Sequence, residues 1–335
     1  MNKTIDWRLL KKLYAIHSPS GKEDKMIAFL VSYLKSLPGV KLGRDSYGNL
    51  YAWKGESESY PCIVAHLDQV QRNHPRDFRA IETRDIIFGY SAKEHSIFGL
   101  GADDKNGIII CLEAIKKYDC MKVVFFKEEE TGCHGSSRAE MKFFDDCRYV
   151  IQCDRRGNSD LITNIGCSDL CSEKFIQDID PEKWGYKEET GMMTDVEALK
   201  ERGLSVSAIN ISCGYYNTHT DEEITVKRDL EKCWHLVQHI IEDCTETYPH
   251  EVGDNACFGY DEWEIEDEIH SIIQQDPTMT ASDLYDMYQT NYPMLRLEDF
   301  ERIVSDHQLW YDEEETLTQT FKPDGKESDK EDFIF

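Results

Sequence analysis

Apolar positions follow two alternating periods through the first three quarters of the chain. Leu9, Leu10, Leu13, Tyr14 and Ile16 recur at helical spacing, and His17-Ser18-Pro19-Ser20-Gly21 ends the run. Met26, Ile27, Leu30, Val31, Tyr33 and Leu34 predict a second helix that stops near Pro38-Gly39. Residues 40–42, 50–53 and 62–65 are short strand-like runs, with a turn over 45–49 between the first two. Residues 78–99 alternate apolar and polar side chains around polar turns and predict a β-hairpin excursion. The helical period returns over 106–118. The apolar runs 123–126 and 149–153 then read as buried strands of a largely parallel sheet, with a helical segment over 136–144 between them. A further strand is predicted over 205–211 and a closing helix over 226–241. Strands alternating with helices predict an α/β three-layer sandwich around a central, mostly parallel sheet.

The pattern changes after about residue 245. Tyr248-Pro249 and Gly253-Asp254-Asn255 read as a linker, and 261–310 as three short helices. Thr280 and Asp283 have the spacing of a capping box, with Asp in place of Glu. From Tyr311 the chain is acidic and polar and is predicted to be disordered. The expected division is a main domain over 1–247, a small helical extension over 248–310 and a tail over 311–335.

Composition narrows the classes. With 335 residues, 40% of them apolar and 31% charged, most of the chain should fold as a water-soluble globule. No apolar stretch reaches the roughly 20 residues that span a bilayer. The first residues lack the apolar core of a signal peptide, so a cytoplasmic location is expected. A net charge of −27 argues against nucleic acid and anionic membranes as partners, and much of the excess lies after residue 250. Of the 12 cysteines, Cys62, Cys153 and Cys213 fall in strand-like runs and Cys111, Cys233 and Cys244 in helical patterns, as buried free thiols do. Cys167 and Cys171 lack the second pair that a zinc site needs.

Acidic and imidazole side chains gather at the ends of the predicted strands. His66-Leu67-Asp68 follows directly on 62–65; residues i and i+2 point the same way, so His66 could take a metal while Asp68 orients it. A lone His at a strand end is more often structural. Asp103 and Asp104 precede a helix, where one aspartate would serve as a cap. Glu128, Glu129 and Glu130 end an apolar strand; three adjacent like charges repel one another unless something positive neutralises them, although a solvated acidic loop is the commoner meaning of such a run. Asp154 ends another strand, and His219 follows a further one. Together they supply two imidazoles and three carboxylates, with Glu129 and Asp68 left over, a set that suits a pair of divalent ions. His235 and His239 stand four apart on a helix, but Leu236 occupies the place of the general-base Glu in the helical zinc-protease motif.

These residues resemble the co-catalytic zinc exopeptidases: peptidase T, carboxypeptidase G and the glutamyl, leucyl and tetrahedral aminopeptidases. The resemblance runs from about residue 7 to 244. It includes Ser18-x-Ser20-Gly21-x-Glu23, Asp45-x-x-Gly48-Asn49-Leu50 and the order His-x-Asp, Gly-x-Asp-Asp-Lys, Glu-Glu-x-Gly, Asp, His. It implies two divalent ions, zinc, or cobalt or manganese in its place. It further implies that His66 and Asp154 complete one metal, that Glu130 and His219 complete the other, and that Asp103 bridges them, with a cis peptide often following. Glu129 is then the general base and Asp68 the residue that orients His66. Anchoring the three glutamates on Gly132 sets this register; a slip by one would make Glu128 the base and Glu129 the ligand. Tyr215, Tyr216 or Asn217 could add a hydrogen bond to the oxyanion.

Many members carry an inserted lid. Here the gaps 67–102 and 155–218 hold only a hairpin and the rest of the sheet, the latter including Gly191-Met192-Met193-Thr194-Asp195, which resembles the Gly-x-Thr-Asp segment of lidless aminopeptidases. A lidless catalytic domain is therefore expected, with the extension packed on its back in preference to covering the site. Arg155 and Arg156 directly follow Asp154 and could grip a substrate carboxylate or pair with Glu128 or Asp68. The leading expectation is an aminopeptidase on short peptides. The alternatives are a deacylase or carboxypeptidase on N-acyl amino acids or dipeptides, and a non-catalytic binding protein on the same fold.

Overall fold

The computed structural model describes residues 5–166 and 168–252, and beyond them 269, 272–273, 278–288, 296–297, 300–301 and 303–305. The chain divides into two compact units, Met1–Asp261 and Glu262–Phe335.

The first unit begins with helices α1 (Trp7–Tyr14) and α2 (Asp24–Lys35). Asp6 caps α1 through Oδ1, which accepts from the N–H groups of Arg8 and Leu9. Leu9, Leu10, Leu13 and Tyr14 form its buried face, as the period predicted. Strands β1 (Val40–Arg44), β2 (Leu50–Lys54) and β3 (Tyr60–His66) follow. The 45–49 turn is fixed by Asp45, whose Oδ1 accepts from Gly48 N (2.8 Å) and Asn49 N (3.0 Å). The excursion comprises β4 (Phe78–Glu82), β5 (Ile86–Ser91) and β6 (Ser96–Phe98). Next come helix α3 (Ala102–Lys117), β7 (Met121–Phe126) and β8 (Cys147–Arg155).

The segment 136–144 departs from the predicted helix. It forms two 3₁₀ turns, Ser136–Arg138 and Met141–Phe144, separated by an extended Ala139. Tertiary partners compete with the helical ladder there: the Glu140 N–H donates to Tyr51 Oη at 3.0 Å, and the Arg202 guanidinium takes the carbonyls of Ser137 and Ala139.

Beyond β8 lie β9 (Asp160–Ile165), β10 (Ser168–Asp169), helix α4 (Glu173–Ile179), β11 (Lys187–Gly191), helix α5 (Asp195–Glu201) and β12 (Ala208–Ser212). The short β13 (Tyr215–Tyr216) and β14 (Ile224–Val226) lead into α6 (Lys227–Asp243). The strand predicted from 205 starts three residues later. Before it, Ser207 N donates to Tyr248 O and His250 N to Ser205 O, so 205–207 pairs with the chain after α6.

The main sheet runs β1-β2-β7-β3-β8-β12-β9-β10, with β11 added on β9. Its centre is parallel: β3 pairs with β7 and β8, and β8 with β12. Antiparallel strands flank that centre, β1 and β2 on one side and β9 with β10 on the other. Side chains alternate between the faces of β3. Ile63 and Ala65 join the larger core with α1, α2, α3 and α6, whereas Cys62 and Val64 join the core that includes Val196 and Leu199 of α5. Helices cover both faces, as an α/β three-layer arrangement requires. A second, antiparallel sheet has the order β13-β14-β5-β4, with β6 on β5.

The described cysteines are all free thiols. Cys167 of the C-x₃-C pair lies outside the described residues, as does the acidic tail 311–335. No described helix is long and apolar enough to cross a membrane. In the second unit, helix α7 (Ala281–Tyr288) carries the predicted capping box. Asp283 N donates to Thr280 Oγ1 at 3.2 Å and Thr280 N to Asp283 Oδ2 at 2.9 Å. Tyr285 and Tyr288 stand against the ring of Phe300.

Candidate metal centre

The centre lies at the C-terminal ends of the parallel strands, where open α/β sheets form their crevices. His66 is the last residue of β3, Asp154 stands at the end of β8, and Glu128–Glu130 follow β7 after Lys127. Asp103 enters from the first turn of α3 and His219 from the loop between β13 and β14.

The adjacent aspartates divide the work. The peptide between them is cis, and neither has helical dihedrals. Asp104 is the cap: its carboxylate accepts from Gly107 N at 2.8 Å and from His66 N at 3.3 Å. Asp103 thereby faces the centre. Its Oδ1 is 2.9 Å from His66 Nε2, and its Oδ2 is 3.5 Å from His219 Nε2. Thr218 Oγ1 donates to the same Oδ2 at 2.7 Å.

The three glutamates also separate. Glu128 has a positive φ of 53° and turns its carboxylate to the Tyr47 hydroxyl, away from the histidines. Glu130 Oε2 lies 3.0 Å from His219 Nε2. Glu129 Oε2 lies 3.8 Å from His66 Nε2, and Asp154 Oδ1 lies 3.7 Å from that same atom. A tight turn holds this run, with Glu129 O accepting from both Gly132 N and Cys133 N. Gly135 fits where a Cβ would come within 2.4 Å of Lys127 O.

Two sets of potential ligand atoms lie within 4.8 Å of one another: His66, Glu129 and Asp154, and His66, Asp103 and Glu130. His219 joins the second through its contacts with Asp103 and Glu130. Glu130 Oε1 is buried without a hydrogen-bond partner, as expected of an atom whose partner is a cation.

Asp68 underpins the cluster. Its Oδ1 faces His66 Nδ1 at 3.3 Å and accepts from Glu129 N at 3.0 Å. Its Oδ2 accepts from Ser20 Oγ at 2.7 Å and from Glu130 N at 3.3 Å. Burial pushes Asp68 up, but these bonds and His66 hold it below the usual carboxylate range. Burial alone would depress the two imidazoles. The surrounding carboxylates outweigh it, chiefly Asp154 and Glu129 at His66 and Glu130 and Asp103 at His219, and raise both well above the usual value. Burial also raises Glu129 well above an ordinary glutamate, with Asp154, Asp195 and Glu130 adding and His66 opposing.

Other expected neighbours lie elsewhere or in altered roles. Tyr215 Oη donates to Asp154 Oδ1 at 3.2 Å, whereas Tyr216 binds Asp229 and Asn217 binds Glu222 O. Arg155 Nε sits 3.6 Å from Asp160 Oδ2, and Arg156 is exposed. His239 stacks on Trp184 and bonds Asp243. One residue was not foreseen: buried Glu223 accepts from Ala102 N and Asp103 N, fixing the backbone that carries Asp103. It bonds from some 120 residues away, beyond the reach of local spacing.

No protein-family model matches the chain, and no curated protein matches it by sequence. Solved structures do match in fold. The tripeptidase from Staphylococcus aureus superposes with a TM-score of 0.58 at 13% identity, covering 72% of this chain and 99% of that one. The aminopeptidase PepT from Bacillus cereus gives 0.57 at 16%, covering 70% and 97%. An aminopeptidase from the archaeon Desulfurococcus kamchatkensis gives 0.55 at 17%, covering 71% and 94%. Over about 70% of its length, the chain has the fold of these peptidases, with its His, Asp and Glu cluster at the ends of the central strands.

Proposed function

We propose that the chain is a metal-dependent exopeptidase, an aminopeptidase acting on short peptides. The carrying observation is Asp103, whose two carboxylate oxygens face different imidazoles, His66 and His219. That is the disposition of a carboxylate shared by two ions. His66 and Asp154 would hold one and Glu130 and His219 the other. The residues fit such ions: carboxylates packed this closely repel one another without added positive charge, and buried Glu130 Oε1 has no protein partner. Oxygen and imidazole donors suit zinc, cobalt or manganese.

Bound divalent ions supply Lewis-acid activation of a water and of the scissile carbonyl. The protein supplies the proton transfer. Glu129 Oε2 stands at the His66 side of the cluster, placed to take a proton from the attacking water and return it to the leaving amine. Asp68 fixes the backbone of Glu129 and Glu130 and the ring of His66 together, so base and ligands keep one geometry. The aminopeptidases and the tripeptidase of like fold support the substrate class.

The test combines metal content with hydrolysis of aminoacyl, tripeptide and N-acyl substrates. About two ions per chain are expected, with the aminoacyl and tripeptide substrates cleaved. Glu129→Gln should retain the metal and lose about 10²- to 10⁴-fold in kcat. A wild-type protein that binds no divalent ion overturns the centre. Cleavage confined to N-acyl substrates overturns the aminopeptidase assignment.

A further inference from the structure

Asp154 is held by a buried amide that the mechanism above does not use. Gln152 stands two residues before it on β8 and is fully buried. Its Oε1 accepts from Val196 N at 3.1 Å and from Thr194 Oγ1 at 2.6 Å. A backbone N–H only donates, so Val196 fixes which end of the amide is the oxygen. Nε2 points the other way and donates to Asp154 Oδ2 at 3.0 Å and to Asp195 Oδ2 at 3.3 Å. Thr194 occupies the N-cap position of α5 without capping it; its hydroxyl is engaged by Gln152, which takes a first-turn N–H of that helix in its stead. The same hydroxyl accepts from Asn210 Nδ2, and the Asn210 amide also pairs with the N–H and carbonyl of Asp154.

Resting on the two-metal reading above, we infer that Gln152 is a positioning residue that decides which oxygen of Asp154 meets the ion. Its N–H engages Oδ2. Oδ1 is left facing His66 Nε2 at 3.7 Å, with the Tyr215 hydroxyl on that oxygen at 3.2 Å. A carboxylate free to rotate would offer either oxygen and lose that freedom when the ion binds; the amide removes it beforehand. A neutral donor suits this place, because Asp195 lies on the same Nε2 and a third carboxylate would repel the other two. With Oε1 anchored on Thr194 and Val196, the start of α5 and the metal ligand share one support.

Gln152→Glu changes one group: it keeps an oxygen for Val196 N and replaces the donor to Asp154 by an acceptor. The metal-free wild type and variant are titrated with cobalt(II) against a chelator, and the visible absorption is followed. Asp154→Asn marks the ion on the His66 side as the one it weakens. Gln152→Glu should weaken that same ion about 10- to 100-fold and change its absorption, with the other ion unaffected. The Tm of each metal-free protein shows whether the variant folds. If it does not, Thr194→Val decides, since it removes the hydroxyl behind Oε1: it should weaken the same ion by a smaller factor, and unchanged affinity overturns the proposal. Two ions indifferent to Gln152→Glu, or weakened equally, overturn the role and leave the metal centre standing. A wild type that takes up no cobalt overturns the metal centre and this role together. The expected cobalt pattern in a protein that cleaves no peptide supports the role and overturns the peptidase assignment.

Discussion

Asp68 accepts from Ser20 Oγ, Glu129 N and Glu130 N and faces His66 Nδ1, so one carboxylate ties three chain segments to the proposed centre. Asp68→Asn keeps the shape but puts an amide where an N–H needs an acceptor. It should weaken zinc affinity about 10- to 100-fold, read by competition with a chelator; unchanged affinity would count against the orienting role. Cys133 is a smaller case. Its Sγ lies 3.7 Å from Glu129 Oε1, leaving Oε2 on the His66 side. Cys133→Ala should lower kcat a few-fold at constant KM, and Cys133→Ser should recover most of it. At this scale much of the candidate centre could be read from sequence, because His66 and Asp154 end strands, Glu130 and His219 shortly follow strands, and Asp103 begins a helix. The split between Asp103 and Asp104 came only from the family resemblance and not from local spacing, since it depends on which carboxylate the His66 and Gly107 amides take. The turn of Glu128 toward Tyr47 is equally non-local.

The central strands β3, β7 and β8 were legible because they are continuous buried apolar runs. Between Asp154 and His219, β12 was legible to within three residues, but β9 and β11 were not. β11 is exposed along most of its length, and β9 mixes buried and half-buried positions, so pairing rather than a hydrophobic pattern defines them. The segment 136–144 was misread as a continuous helix because Tyr51 and Arg202 redirect its backbone groups from outside. Gly135 opens that segment and closes the glutamate loop. Gly135→Ala would drive a methyl into Lys127 O and Asn49 Oδ1. The expected cost is about 2 kcal/mol or more, seen as a lower Tm together with lost metal affinity. A Tm drop with full metal affinity would mean that the loop's shape does not govern the ligands.

Across the molecule, buried carboxyls tie stability to pH. Glu197 on α5 is 3% exposed, and burial pushes it up to about 8, with Glu201 adding and the Thr194 backbone opposing. A carboxyl raised on folding binds more protons in the folded state, so its penalty is absent below the unfolded value of about 4.3 and grows as pH rises through about 8. Glu197→Gln should therefore gain stability over the wild type progressively from about pH 5 to pH 9, by up to a few kcal/mol at the alkaline end, read as a growing difference in Tm. A difference that is flat with pH would show that Glu197 does not titrate in this range. The order of the sheet has a further result. β12 comes late in the chain yet lies between β8 and β9, and its Asn210 holds both the N–H and the carbonyl of Asp154. His219 comes later still. On the proposed assignment, a growing chain on the ribosome has His66, Asp103 and Glu129 exposed to the cell long before it can cut anything. The order of synthesis then acts as a safety catch, released only after the last ligand has left the exit tunnel.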